Sequence, residues 1–259
     1  MNPVYAAAVA TSIATFKLAG WRVRVQGAEH VPASGSGVVA TNHVGYLDFV
    51  FAGYGVRQQG GRRLRFVAKR EVFDHPVSGP LMRSMGHIRV DRGGNTTTAM
   101  RQVAAALRDG DLVGMFPEGT ISRSFVPLKG RPGAARMAMA ANAPLIPGAV
   151  WGSQRIFTKG RKARIAPRTV VSVTFGPPVL HAPDEPAAAV HDRLMAAIRA
   201  LVDDAQRSHP QRPAGPDDAW WLPAHLGGHA PTVEEAEAMA AADRAERRRR
   251  RLGGDIPPP

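Results

Sequence analysis

Seven short apolar runs between Trp21 and Phe175, separated by stretches of helical periodicity, constrain this chain most. Residues 21–25 alternate apolar and polar, as an edge or half-exposed strand does. Residues 37–40, 64–68, 87–90, 112–116, 145–151 and 170–175 read as further strands, with 37–40 and 112–116 the most buried in character. Helical patterns fall between them at 47–58, 96–108 and, entered through Pro132, 133–141. A longer helix at 185–206 carries Val190, Leu194, Ala197, Ile198 and Leu201 at helical spacing. Alternating strands and helices predict an α/β architecture, a sheet with helices against it.

The ends read differently. Residues 4–18 are apolar and small, but too few to span a bilayer at about 20 residues per crossing, and Lys17 interrupts them. That segment suits either a helix packed on the domain or one lying in a membrane interface. From Pro210 the composition turns to Pro, Gly and Trp, which predicts a loose arm. A last helix at 233–251 follows, with Thr232 and Glu235 spaced as a capping box and arginines closing it. The expected organisation is therefore 1–20, an N-terminal helix; 21–209, the main domain; and 210–259, an arm and basic tail.

Composition removes several chemistries. The chain has no cysteine, which excludes disulfides, thiol nucleophiles, Cys-ligated zinc and iron–sulfur clusters. No Gly-x-Ser-x-Gly, His-Glu-x-x-His or P-loop string occurs. The string from Gly35 to Ala40 matches Gly-x-Gly-x-x-Ala, but it enters a strand instead of leaving one, so it reads as a turn. Lys and Arg outnumber Asp and Glu by 34 to 21, giving a formal charge of +13 that favours phosphates, anionic lipid or nucleic acid.

Three loops that leave candidate strands carry concentrated polar chemistry. The first holds Asn42, His43 and Asp48; the second Arg89, Asp91 and Arg92; the third Glu118, Gly119, Thr120 and Arg123. On one helix, His43 and Asp48 would be rotated apart by about 140°. They meet if His43 sits in the loop and Asp48 opens the next helix, with Gly45 making the turn. A carboxylate on one imidazole nitrogen fixes the tautomer and frees the other nitrogen as a base. Arginine's planar fork suits phosphate oxygens, and loop N–H groups add to it.

The ordered set resembles the glycerolipid acyltransferases, the 1-acylglycerol-3-phosphate acyltransferase family in its bacterial form. Asn42, His43 and Asp48 match its Asn-His-x4-Asp motif; the stretch from Gly86 to Arg92 matches a second; Phe116 to Thr120 match Phe-Pro-Glu-Gly-Thr; and Pro144 to Pro147 match an apolar Pro-rich strand. Order and spacing agree over about residues 17–180. One departure is local: Ile121 and Ser122 separate Thr120 from the Arg123-Ser124 pair. The resemblance implies a mixed sheet flanked by helices, of glycerol-3-phosphate acyltransferase type, with residues 1–20 in a membrane interface. It implies His43 as general base held by Asp48, with direct attack of a glycerol hydroxyl on an acyl thioester. It places Asn42, Arg92, Glu118, Gly119, Thr120 and Arg123 at the acceptor, and Lys129 at a phosphate or oxyanion. No cofactor or metal is implied; the donor is the thioester of coenzyme A or of acyl carrier protein, the acceptor a lysophospholipid. The expected setting is an anionic membrane surface on the cytoplasmic side, peripheral or monotopic, with no nucleic acid.

Three rivals remain at this level. The same motifs would serve another acceptor, such as a glycolipid or glycerol 3-phosphate. A non-enzymatic nucleic-acid binder would use the basic charge but leave the three loops unexplained. A metal-dependent hydrolase would use His43, Asp48, His87 and Asp91, which lack the usual ligand spacing.

Overall fold

A computed structural model describes residues 3–76, 78–90, 96–182 and 184–253. In chain order the elements are α1 (Pro3–Leu18), β1 (Arg22–Gln26), β2 (Gly37–Thr41), α2 (Asp48–Arg57), β3 (Leu64–Lys69), α3 (Arg70–Asp74), α4 (Ser78–Ser84) and β4 (Ile88–Val90). They continue with α5 (Thr96–Arg108), β5 (Leu112–Met115), α6 (Gly133–Ala140), β6 (Leu145–Trp151), β7 (Val170–Phe175), α7 (Ala187–Arg207) and α8 (Val233–Gly253).

The seven strands form one sheet in the order β1-β7-β6-β2-β5-β3-β4. It is mixed, as the resemblance implied. β4, β3, β5, β2 and β6 run parallel, while β7 pairs antiparallel with β6 and parallel with β1. β1 sits at the edge, which explains its alternating exposure, whereas β2 and β6 are buried at every residue, as strands covered on both faces are. One face of the sheet packs on α5, α6 and α7 through Val103, Ala134, Val190, Leu194 and Ile198. The other packs on α2 through Phe51 and Val56, with Phe16 of α1 stacked on Phe51 at 5.0 Å.

Phe16 and Tyr5 pin α1 to the domain, while Leu18 at its end is 89% exposed. Among the described residues no helix is long and apolar enough to cross a membrane.

Residues 210–232 correct the expectation of a loose arm. Trp221 is fully buried and Trp220 nearly so, packed with Val44, Phe125, Trp151 and Ala205. Arg155 lies over Trp221 at 4.4 Å and Arg161 over Trp220 at 4.0 Å. Pro and Gly set the irregular path of this segment, but two indoles bury roughly 150–250 Å² each and decide its attachment. The capping box at α8 forms: the Thr232 N–H donates to Glu235 at 2.8 Å, and the Glu235 N–H to the Thr232 hydroxyl at 3.2 Å.

Candidate active site

Three adjacent central strands, β6, β2 and β5, end at the same edge of the sheet. The loops that leave them, after Thr41, Met115 and Trp151, therefore meet, in the place where α/β sheets gather ligands.

β2 delivers Asn42 and His43, and α2 opens on Asp48. His43 Nδ1 lies 2.9 Å from Asp48 Oδ2. The same oxygen accepts the N–H of Val44 at 2.7 Å and of Gly45 at 2.8 Å, while Oδ1 accepts the hydroxyl of Ser153, just past β6. Asp48 is fully buried, and its other partners are all donors, the set an ionised carboxylate accepts. Those partners leave Asp48 to accept from Nδ1–H, so the network assigns a proton there and leaves Nε2 as the nitrogen not engaged by Asp48. The imidazole is 19% exposed and stacks on Phe116 at 4.0 Å, nearly parallel at 10°.

Gly45 serves this loop differently from the expected turn. Its φ is not among the left-handed ones; instead, a Cβ there would meet the Phe157 carbonyl at 2.9 Å and the Ser153 hydroxyl at 3.0 Å. The glycine is required for close approach of the β6 loop.

Two residues expected at the acceptor turn out to hold the backbone. Asn42 is buried, and its amide accepts the Val150 N–H at 2.7 Å and donates to the Val150 carbonyl at 3.0 Å, stitching β2 to β6. Glu118 accepts the His43 N–H at 2.7 Å on one oxygen and the Leu128 N–H at 2.9 Å on the other. It ties the His43 loop to the loop after β5, and the Ser122 N–H adds a bond to the His43 carbonyl at 2.8 Å. Burial pushes the Glu118 carboxyl up to about 8, against the pull of those two N–H donors. Both side chains bond main-chain groups of neighbouring loops.

The rest of the third loop is more open. Gly119 takes a left-handed φ of 68° and donates to the Phe116 carbonyl at 3.0 Å. The Ile121-Ser122 departure is absorbed inward: both residues are buried, and the Ser122 hydroxyl reaches the Val126 carbonyl at 2.7 Å. Arg123 is left at the surface of the loop, where Nη1 meets Asp243 of α8 at 2.9 Å. Lys159, from the loop after β6, contacts the same Asp243 oxygen and lies 3.4 Å from the Thr120 hydroxyl. Lys129 is exposed, and its carbonyl lies 3.1 Å from Nε2 of His191. Asp91 and Arg92 fall outside the described residues.

His87, a ligand in the metal reading, lies apart. It is a core histidine whose Nδ1 accepts the Phe66 N–H at 2.9 Å, and burial with the nearby Arg65 charge lowers it to about 4. Ser153, Thr158, Lys159 and Asp243 were not identified from the sequence. Ser153 was within reach of the strand-end rule, since it follows β6 as His43 follows β2. Thr158, whose hydroxyl donates to the Val44 carbonyl at 2.6 Å, and the other two depend on long-range folding.

Comparison with known proteins bears on the family and the fold. The acyltransferase family profile matches residues 22–151. The 1-acyl-sn-glycerol-3-phosphate acyltransferase of Bacillus subtilis (strain 168) is 30% identical over 182 residues, 69% of this chain and 84% of the relative. The 1-acyl-sn-glycerol-3-phosphate acyltransferase alpha of Bos taurus is 30% identical over 213 residues, 78% of this chain and 72% of that one. In fold, the chain superposes on the crystal structure of the 1-acyl-sn-glycerophosphate (LPA) acyltransferase PlsC of Thermotoga maritima with a TM-score of 0.61 at 20% identity, covering 76% of this chain and 77% of that one. The matched profile contains the whole His43–Asp48 loop and the loop after β5, and the chain belongs to the acyltransferase family that includes these relatives.

Proposed function

We propose that the protein moves a fatty acyl group from a thioester to the free hydroxyl of 1-acylglycerol 3-phosphate, giving phosphatidic acid. The carrying observation is the His43–Asp48 pair at 2.9 Å, with Nε2 left free by its geometry. Nε2 takes the proton of the acceptor hydroxyl as its oxygen attacks the thioester carbonyl. The tetrahedral intermediate then collapses, the C–S bond breaks, and the departing sulfur recovers the proton from the imidazolium. A positioned base supplies about 10²–10⁴-fold. Asp48 holds the tautomer and stabilises the imidazolium, and Phe116 covers one ring face. No acyl-enzyme is required and no cofactor enters; the thioester is a co-substrate.

Acceptor identity rests on the named activity of the relatives and on the cations near Thr120 and Arg123. For the donor, a cavity of about 390 Å³ lies on the loop after β6, lined by Arg155, Arg161, Lys162, Arg164 and Trp220. Its charge suits the phosphates of coenzyme A or of a carrier protein's phosphopantetheine. Such substrates are amphipaths, so the protein works at an anionic membrane face on the cytoplasmic side, with α1 in the interface, and its basic charge serves lipid and substrate in preference to nucleic acid.

The test is release of free coenzyme A thiol from a set of acyl-CoAs, with lysophosphatidate, glycerol 3-phosphate, a glycolipid and a neutral monoacylglycerol as acceptors. Thiol release that depends on lysophosphatidate is expected. Release that depends on another acceptor alone would transfer the same chemistry to that acceptor, and thioester hydrolysis without any acceptor would overturn acyl transfer.

A further inference from the structure

Asp243 of α8 lies far outside the matched residues 22–151, yet one of its oxygens binds two cations of the site loops. Oδ2 accepts from Arg123 Nη1 at 2.9 Å and also from Lys159 Nζ, which in turn lies 3.4 Å from Thr120 Oγ1. Arg123 and Thr120 come from the loop after β5, Lys159 from the loop after β6 and Asp243 from α8. Their side chains are shielded but reachable: Arg123 is 25% exposed, Lys159 17% and Asp243 26%. The loop that carries Arg123 is tied to the His43 loop, because Ser122, one residue from Arg123, donates its N–H to the His43 carbonyl.

The charges do not balance. Two cations face one carboxylate, leaving a surplus of one positive charge. A phosphate monoester carries close to two negative charges at neutral pH and offers three acceptor oxygens. It would satisfy Arg123, Lys159 and the Thr120 hydroxyl together, which a single carboxylate oxygen does not.

The contact between α8 and the domain is slight apart from this pair. Its apolar contact is Val233, Ala236 and Ala240 against Leu128, and most of its described side chains are exposed. Among the described residues, a helix held by one valine, two alanines and the two ion pairs of Asp243 yields more readily than one held by large side chains.

Resting on the function proposed above, we infer that Lys159 joins Arg123 and Thr120 in the seat of the acceptor phosphate, and that Asp243 fills this seat as an internal anion which the acceptor displaces. α8 is then a self-cap. The free enzyme keeps its phosphate seat occupied, and binding the acceptor releases the helix.

The test uses the full chain. In wild type, glycerol 3-phosphate should raise amide exchange over residues 233–246, and Lys159→Met should abolish that response. A helix whose exchange does not change overturns the displacement, and an equal response to inorganic phosphate at the same concentration overturns the acceptor assignment. In steady state, Asp243→Asn should lower the KM for lysophosphatidate by the reciprocal of the open fraction of the seat, on the order of 5- to 10-fold, with kcat unchanged. Lys159→Met should raise that KM by a similar factor. An unchanged or higher KM in Asp243→Asn removes the cap, and an unchanged KM in Lys159→Met removes Lys159 from the seat. Wild type that transfers to no acceptor but still frees α8 with glycerol 3-phosphate would end the acyl-transfer reading and leave the seat standing. Normal transfer with a silent helix would do the reverse.

Discussion

The His43 loop and the Arg123–Lys159 cluster lie side by side at one edge of the sheet, yet they are built in opposite ways. In the first, the parts are near in sequence, and Asp48 is locked by main-chain N–H groups of Val44 and Gly45 at 2.7 and 2.8 Å. In the second, long flexible side chains come from residues 120–123, 159 and 243, and each remains partly exposed. Backbone donors hold a group in one place at no side-chain entropy, which suits a base that must meet a proton within a few tenths of an ångström. Long cationic side chains hold less firmly and can exchange one anion for another. On the function proposed, position is fixed where the proton moves and adaptable where the acceptor phosphate binds.

The sharpest way to break that contrast is at the base. His43→Ala should cut kcat by about 10²–10⁴-fold while the fold survives, because the ring is partly exposed and its removal leaves Asp48 with its remaining donors. Turnover within tenfold of wild type would remove His43 from the chemistry. Ser153→Ala probes the rigidity of the same loop. Loss of a hydrogen bond to a charged acceptor should cost about 1.5–3 kcal/mol in denaturant unfolding, with a fall in kcat and little change in KM. An unfolding free energy within 0.5 kcal/mol of wild type, on the order of an ordinary surface change, would show that Asp48 is held well enough without it.

Glu118 joins the two regions, and pH reports on it. Its carboxyl is raised to about 8, so between the ordinary value of 4.5 and 8 the folded protein holds more protons than the unfolded chain. Its contribution to stability is present below about 4.5 and lost as pH rises through 8. His87 and His209 act in the other sense. Burial and neighbouring arginines lower both to about 4 from 6.5, so the unfolded chain holds more protons between those values. Their stability contribution is present above about 6.5 and is lost as pH falls through 4, up to about 3 kcal/mol each. Thermal melts should therefore show an acid limb that His87 and His209 dominate and an alkaline limb that flattens in Glu118→Gln. An alkaline limb of equal slope in that variant would place the titration elsewhere.

The smallest expected change lies at α1. Leu18→Glu should leave the melting temperature and the turnover of short-chain soluble substrates unaltered, since the side chain is 89% exposed. It should reduce sedimentation with vesicles of anionic phospholipid, and unchanged sedimentation would take α1 out of the membrane contact.

The sequence was most legible where structure is local. The runs at 145–151 and 170–175 became β6 and β7 residue for residue, and 96–108 became α5, because period and flanking turn residues are written within each window. The meeting of His43 in a loop with Asp48 at the start of the next helix was also anticipated locally, but the pair stood out only beside the other two loops and the family's motif order. Their partners were not legible. Asn42 and Glu118 are residue types that serve a ligand or a backbone equally well, and only the path of the chain puts Val150, His43 and Leu128 against them. Residues 210–232 were misread because Pro and Gly describe the backbone path, while the attachment is set by Trp220 and Trp221 against Trp151, about 70 residues away. Lys159 and Asp243 are single charges in surface-like segments, and nothing in their neighbourhood distinguishes them from ordinary solvated ones.

One consequence follows from the reversal of direction between β6 and β7. A parallel neighbour would have required the chain to carry its connection back across a sheet face to restart at the far end. Because β7 runs antiparallel to β6, it begins at the very edge where β6 stops, and all of residues 152–169 remain at that edge. The molecule thereby owns a long hairpin whose two feet are anchored in a seven-stranded sheet and whose body supplies Ser153, Lys159 and the basic cavity. Near its first foot, Ser153 and Thr158 brace the His43 loop, so new acceptor or donor preferences are best grafted onto its body beyond them, around Lys159 and the basic cavity.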